Sequence, residues 1–168
     1  MDKVKLIFFD VETNGLKGSS VLSISAMKIL YDPTTNEMFK MGEYDRFYYR
    51  NEGEEINYGA ISVNGLNDEE IAIRRSKSDI NYARTFKEDI QSFVDFCDGA
   101  RHFIAHNIKF DRSFIPFILP VQFDTMIENI VIATATEMQN NFGRYLAMVQ
   151  EGNEIIVTKN GKEVGRFI

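Results

Sequence analysis

Near its start the chain has an almost unbroken apolar run, Val4 to Phe9, that leads directly into two carboxylates, Asp10 and Glu12. A short run of this kind is typical of a central strand covered on both faces. Because side chains alternate between the faces of a strand, we expect Asp10 and Glu12 to point the same way. Two such carboxylates repel each other unless a positive group joins them, and hard divalent cations are the usual partners. A carboxylate cluster that holds two cations about 4 Å apart is suited to phosphodiester cleavage.

A third carboxylate, Asp111, follows a second short apolar segment and lies one turn into a predicted helix. In sheets with covered faces, sites gather at the carboxyl ends of central strands, which favours a common site for the three acidic residues. The alternative to a common site is that these residues have no function. Asp10 and Glu12 could form an acidic turn after the strand, and Asp111 could be a solvated helix residue.

Length and composition limit the classes of protein that fit. With 168 residues, one domain is the default and two small ones are possible. The single cysteine, Cys97, excludes a disulfide within the chain and a cysteine-based zinc cluster. The net charge of -6 argues against broad electrostatic capture of nucleic acid, so any contact must be local. No apolar run is long enough to span a bilayer and no leader is evident, so we expect a cytoplasmic protein without a membrane partner.

The first 125 residues read as an α/β domain. Val4–Phe9, Val21–Leu30 and Phe39–Tyr49 are predicted strands of an antiparallel meander. Helices are predicted from Asn67 and over Ala83–Cys97, followed by a strand at His102–Ala105. The apolar spacing of Phe110, Phe114, Phe117 and Ile118 predicts an amphipathic helix that ends near Pro120.

Residues 126–168 have a second pattern. A short strand is predicted over Ile130–Ile132, and Thr136 with Gln139 has the spacing of a capping box. A helical stripe follows and Gly152 is a suitable stop; the stripe comprises Met138, Phe142, Tyr145, Leu146 and Val149. Asn160-Gly161 is the strongest short hairpin signal, and it separates strands over Glu154–Lys159 and Val164–Ile168.

Four segments resemble the motifs of the DEDD exonuclease family in order and spacing: Phe9–Gly15, Val63–Glu69 (with Asn64 where His is usual), Ala105–Asp111 and Phe123–Thr125. The resemblance implies an RNase H-like mixed sheet with helices over residues 1–125. It further implies 3′→5′ cleavage of nucleic acid with Mg2+ or Mn2+, with Asp10, Glu12 and Asp111 as catalytic metal ligands. Thr13, Asn14 and Asn107 would contact the nucleic acid.

The family's third motif, which carries a His or Tyr general base and a fourth Asp, has no counterpart. No His follows His106, Asp124 is already assigned to a strand, and Val149 stands where the Tyr form, at Tyr145, would need Asp. His102 and His106 are poor substitutes, since the first reads as a strand residue and the second belongs to the second motif. Loss of the base alone should be severe, because general-base catalysis contributes about 10²–10⁴-fold. The helices of that motif would also be missing, so the sheet should expose apolar surface.

Residues 126–168 resemble the Phd/YefM family of antitoxins, through Ile132–Leu146 and Glu154–Lys162. The resemblance implies a small α+β module that dimerises, binds operator DNA and serves a toxin–antitoxin operon. The implied dimerisation residues are Met138, Phe142, Tyr145 and Leu146. The implied DNA-binding residues are Gln139, Asn140, Arg144, Lys159 and Lys162. At the position of Gln139, members of the family often have Lys or Arg. The family's toxin-binding segment follows the hairpin, so no residue of this chain is assigned to a cognate toxin.

Three hypotheses follow from the sequence. The first is an antitoxin-like homodimeric regulator that binds operator DNA and carries an impaired exonuclease-like domain. The second is an active metal-dependent exonuclease acting on nucleic-acid 3′ ends, whose missing groups come from another subunit or from the second module, where Glu128 and Glu137 are the nearest spare carboxylates. The third is a gene fusion that folds but has neither activity, in which the last residues merely complete the first fold.

Overall fold

The computed structural model describes residues 2–125 and 130–168 and divides the chain into two compact units, Met1–Phe123 and Asp124–Ile168. Within these described residues, no helix has the length and apolar character needed to cross a membrane. Glu128 lies outside the described residues.

The first unit is built on a mixed five-stranded sheet with the strand order β3-β2-β1-β4-β5. β1 and β2 pair antiparallel, as do β2 and β3, whereas β4 runs parallel to β1. The strands are β1 (Val4–Thr13), β2 (Val21–Asp32), β3 (Glu37–Phe47), β4 (His102–Ala105) and β5 (Val121–Asp124). The predicted meander and the central position of the first strand are therefore confirmed.

Helices connect these strands. They are α1 (Tyr58–Asn64), α2 (Asp68–Ser76), α3 (Phe86–Phe96) and α4 (Ile108–Asp111), with a 3-10 turn over Arg112–Phe114. Each of the first three begins at a side-chain cap that the sequence supplies, and Thr85 and Glu88 form a full capping box at α3. The caps satisfy backbone N–H groups that would otherwise lack partners at each helix start.

The main core lies between α3 and one face of the sheet. Ile7, Phe9 and Val11 alternate inward along β1 and are at most 5% exposed. Phe93 of α3 is fully buried, with its ring centroid 6.4 Å from that of Phe9. The opposite face carries Phe8, whose register partner on β2 is Met27, and both remain 38% exposed. Apolar surface is thus present on the sheet, as expected.

The helix predicted through Ile118 is wrong. The chain leaves helical geometry after Phe114, and Ile115 is extended with φ -93 and ψ 119. The cause is Pro116, because a proline forces the residue before it out of the α region.

The second unit is a three-stranded sheet, ordered β6-β7-β8, with two helices. Its elements are β6 (Ile130–Thr134), α5 (Ala135–Asn140), α6 (Phe142–Gln150), β7 (Glu154–Lys159) and β8 (Lys162–Phe167). β6 runs parallel to β7, and β7 and β8 form an antiparallel hairpin. Asn160 and Gly161 have φ of 54 and 74 at its turn, which confirms the predicted two-residue hairpin.

Two details of the second unit differ from the predictions. The capping box is formed by Thr134 and Glu137, not by Thr136 and Gln139, because the strand ends at Thr134. The helical stripe is also interrupted at Asn141, where one helix ends and the next begins. The core consists of Ala133, Met138, Tyr145, Ile155 and Val157.

Candidate active site

Asp10 and Glu12 lie within β1 and not in a turn after it, so the acidic-turn alternative is wrong. Their register partners on β2 are Ser25 and Ser23, respectively. The intervening Val11 is buried in the core, so the two carboxylates leave the strand on its other side, as the alternation predicts. Because β1 is paired with β2 at both positions, the backbone of these carboxylates has a rigid support.

Asp111 reaches the same segment of β1 from α4. Its Oδ1 accepts a hydrogen bond of 3.0 Å from the backbone N–H of Val11, between the two strand carboxylates. The pairing of β4 with β1 ends at Phe8, so at Val11 a side chain takes the place of a strand. Asp111 is 3% exposed, which excludes the alternative of a solvated helix residue.

Asn107 positions Asp111 through the first turn of α4. Its side-chain oxygen caps the backbone N–H of Phe110, and its backbone carbonyl accepts the N–H of Asp111 at 3.0 Å. The structure therefore gives this predicted nucleic-acid contact a positioning role. Its contact with nucleic acid stays a prediction.

All three carboxylates have raised pKa values. Burial raises the pKa of Asp10, against the opposing attraction of His106. Burial and the charge of Asp10 raise the pKa of Glu12. Burial raises the pKa of Asp111 to about 6, the Val11 hydrogen bond lowers it, and the charge of Asp10 raises it further. Asp10 thus acts on both other carboxylates, and the cluster favours a proton or a cation.

The donor set is that of a hard cation, since all three candidates are carboxylates. Within residues 2–125 and 130–168, however, no group of three or more His, Cys, Asp or Glu side chains is gathered closely enough to hold a metal ion. The residue types therefore suit Mg2+ or Mn2+, whereas the side-chain positions are not those of an assembled metal site.

A cavity of about 530 Å3 adjoins Glu12. Its large apolar lining residues are Leu16 and Val63, which are 82% and 87% exposed, and Phe110. α1 contributes one wall and has no buried residue. Exposed apolar side chains around a carboxylate offer stacking surface to a ligand that also carries charge.

Thr13, the last residue of β1, and Asn14, which follows it, are both buried. Asn14 donates to the Glu54 carboxylate at 2.7 Å and to the Glu55 carbonyl at 2.9 Å, and its oxygen accepts the N–H of Asn57. Thr13 donates to the Gly15 carbonyl. These contacts fix the wall of the cavity, and a direct contact with nucleic acid stays a prediction.

Sequence reasoning missed Glu54. Its carboxylate accepts hydrogen bonds from Asn14 and from both the N–H and the hydroxyl of Ser20, and these bonds lower its pKa against the opposing effect of burial. Glu54 lies in an irregular loop without periodicity, so no local pattern marked it. Asn64, noted for replacing a histidine, donates to the carbonyl of Thr13.

In the second unit the predicted DNA contacts Gln139, Asn140, Arg144, Lys159 and Lys162 are all exposed. Lys159 and Lys162 face each other across the hairpin turn. The four predicted dimerisation residues separate into two pairs. Met138 and Tyr145 belong to the unit's own core, whereas Phe142 and Leu146 are 49% and 43% exposed.

Over about three quarters of its length the chain has an exonuclease-like fold. One similar solved structure is ExoI in a complex with SSB-Ct, with a TM-score of 0.57 and 13% identity over 76% of this chain and 30% of that chain. Another is E. coli exonuclease I with a dA16 oligonucleotide, with a TM-score of 0.56 and 13% identity over 75% and 29% of the two chains. A third is the zinc-bound form of the E. coli ExoI–ssDNA complex, with a TM-score of 0.56 and 13% identity over 76% and 29%.

This chain spans less than a third of the length of those exonuclease I chains. No protein-family model and no curated protein matches it. At 13% identity the likeness concerns the fold alone.

Proposed function

We propose that the first unit binds the 3′ end of single-stranded nucleic acid at Asp10, Glu12 and Asp111, in the manner of DEDD exonucleases on an RNase H-like sheet. The observation that carries this proposal is the hydrogen bond from the Val11 N–H to Asp111. It brings a residue from 100 positions away to the same short segment as the two strand carboxylates.

The adjoining cavity supports a nucleic-acid ligand. Leu16, Val63 and Phe110 offer apolar contact to a nucleobase, and Glu12 lines the same cavity. Base stacking on apolar and aromatic side chains is the usual way in which proteins hold single strands without regard to sequence.

The cofactor in this proposal is Mg2+ or Mn2+, held by the three carboxylates. A cation would relieve the repulsion that Asp10 exerts on Glu12 and Asp111. Because no group of three such ligands is drawn together in the described part of the chain, ion binding must first reposition side chains, and we expect a single weakly held ion.

Cleavage should be slow, because the chain offers no general base in the position of the third motif. No histidine follows His106, and Asp124 is the only aspartate after Asp111. In the alternative hypothesis of an active exonuclease, Glu137 was one candidate for the missing group. Its carboxylate already accepts the N–H and the hydroxyl of Thr134, which lower its pKa. Because the Glu137 carboxylate is already hydrogen-bonded, the hypotheses favoured are an impaired enzyme and an enzyme whose missing catalytic group comes from another subunit.

For the second unit we propose an antitoxin-like role of the Phd/YefM type, with a homodimer that binds operator DNA and a cognate toxin as possible partner. The specific observation in favour is the pair of exposed apolar side chains Phe142 and Leu146 on α6. Exposed Gln139 on α5 and exposed Arg144 on α6 would face the DNA. The whole chain is then a regulator that carries an impaired nuclease domain.

Calorimetry with Mn2+ and a cleavage assay on labelled single-stranded DNA test the proposal for the first unit. We expect weak Mn2+ binding that Asp10→Asn abolishes, with cleavage near background in the parent protein. Asp45→Asn is the matched control, since Asp45 lies in the same row of the sheet, two strands from Asp10. Equal Mn2+ binding in the parent and in Asp10→Asn would contradict the site. Rapid cleavage by the parent, lost in Asp10→Asn, would instead establish the active exonuclease.

A further inference from the structure

Six side chains of the first unit form a continuous stack in which tyrosines and arginines alternate; we call it the arginine–tyrosine stack. In order they are Tyr44, Arg46, Tyr82, Arg75, Tyr49 and Arg84. The distances from each guanidinium carbon to the adjacent ring centroids run 4.7, 5.0, 4.2, 5.5 and 4.4 Å. The stack connects a buried end at Tyr44 with an exposed end at Arg84.

The inner arginines have their donors engaged. Arg46 donates to the Asp89 carboxylate at 2.7 Å. Arg75 donates to the carbonyls of Phe47, Tyr82 and Ala83. These two residues hold β3, α2 and the segment before α3 together, so their role is structural.

Arg84 differs from both. It is exposed, and its guanidinium has no hydrogen-bond or ion-pair partner among the residues that the structure describes. Its guanidinium carbon lies 4.4 Å from the centroid of the Tyr49 ring, and the Arg84 carbonyl accepts the Tyr49 N–H at 2.8 Å. A guanidinium held against a ring keeps its donors available and loses less entropy when it binds phosphate.

The position of Arg84 relates it to the candidate active site. Glu12 pairs with Ser23, and Ser23 pairs with Phe47, so Glu12 and Phe47 lie in one row across three strands. From strand spacings, the backbone of Phe47 is then roughly 10 Å from that of Glu12, and Tyr49 follows Phe47 by two residues. A single strand whose end lies at Asp10 and Glu12 can pass this point.

We propose that Arg84, supported by Tyr49, binds the phosphate backbone of single-stranded nucleic acid a few nucleotides from the end held by the carboxylates. This inference rests on the proposed nucleic-acid function of the first unit. It supplies the local positive contact that a chain of net charge -6 requires. The exposed face of the guanidinium is also available to a nucleobase, since arginine planes stack on bases.

Fluorescence anisotropy with a labelled trinucleotide and a labelled dodecanucleotide of DNA tests this inference. We expect Arg84→Ala to weaken binding of the dodecanucleotide roughly 3- to 10-fold and to reduce its salt slope by about 0.7, the value for one phosphate contact on a single strand. Trinucleotide binding should weaken much less, because a trinucleotide has few phosphates beyond those held at the carboxylates. Arg84→Lys should keep the salt slope but recover only part of the affinity, because lysine lacks the planar stack.

Arg74→Ala is the matched control, because Arg74 also lies over an aromatic ring, that of Phe47, but is paired with Glu70. Equal affinities of the parent, Arg84→Ala and Arg74→Ala for the dodecanucleotide would overturn the inference while leaving the proposed function intact. If the parent binds neither oligonucleotide, both this inference and the proposed function are overturned. Competition by polyglutamate that depends equally on Arg84 would identify an acidic protein as the ligand and overturn the nucleic-acid assignment.

Discussion

Replacing Asp111 with asparagine should stabilise the first unit at neutral pH and make its free energy of unfolding less dependent on pH. The asparagine oxygen can still accept the Val11 N–H, so the hydrogen bond that positions α4 is kept. What the substitution removes is a charge in a site that is 3% exposed and close to Asp10. The ionised carboxylate therefore costs stability here, and the neutral amide costs less.

The magnitude follows from the pKa. In the folded chain the pKa of Asp111 is raised from 3.8 to about 6, so the folded state binds a proton more tightly than the unfolded state. The contribution of Asp111 to stability is then greatest below pH 4 and is lost as the pH rises through about 6. Each pKa unit corresponds to about 1.4 kcal/mol, so the raised pKa of Asp111 lowers the free energy of unfolding at pH 7 by at most about 3 kcal/mol. Asp111→Asn should recover most of that amount.

Urea unfolding followed by far-ultraviolet circular dichroism, with a chelator present, is the suitable assay because the chain has no tryptophan. Parent, Asp111→Asn and the control Asp45→Asn should be compared at several values between pH 4 and pH 7. The parent and the control should lose stability as the pH rises, and the difference between Asp111→Asn and the parent should widen. The reasoning is refuted if the free energies of unfolding of Asp111→Asn and the parent differ by the same amount at every pH. It is also refuted if Asp111→Asn is less stable than the parent at pH 7.

Three further predictions concern other parts of the chain. Asn14→Ala should lower the free energy of unfolding by about 2–4 kcal/mol in urea titrations, because it leaves the Glu54 carboxylate and two backbone groups short of a partner; a loss below about 1 kcal/mol would contradict this. Phe142→Asp with Leu146→Asp should give folded monomers by light scattering, since both side chains are exposed, and an unchanged dimer would reject the interface. Lys159→Gln should reduce the salt slope of duplex-DNA binding by about 0.9, and an identical slope would exclude a phosphate contact there.

Much of the fold could be predicted because it depends on local patterns. The strand periods of β1 to β3 and the Asn160-Gly161 turn are short-range signals, and the structure has them where they were expected. The end of α4 was missed because the apolar spacing continues past Pro116, and spacing alone ignores the backbone constraint of proline.

The capping box of α5 shows a different limit. Thr134-Glu137 and Thr136-Gln139 both fit the pattern of a Ser or Thr followed three residues later by Glu or Gln. The choice between them depends on where β6 ends, and Thr134 is its last residue paired with β7. That pairing joins residues far apart in the chain, so no local pattern could decide it.

The candidate site divides in the same way. The common direction of Asp10 and Glu12 follows from the alternation of a single strand, and it could be predicted. The contact of Asp111 with Val11, and the anchoring of Asn14 by Glu54, join residues that are 100 and 40 positions apart. Only the tertiary fold brings those residues together.

The hydrogen bond between Val11 and Asp111 also makes one backbone amide a reporter of the site. The Val11 N–H donates to a carboxylate where a neighbouring strand would normally supply a carbonyl. Its nuclear magnetic resonance frequency and its rate of hydrogen exchange therefore depend on the charge of that carboxylate. Protonation of Asp111, or a cation bound to it, changes the signal of this amide, so the state of the site can be read without a substrate.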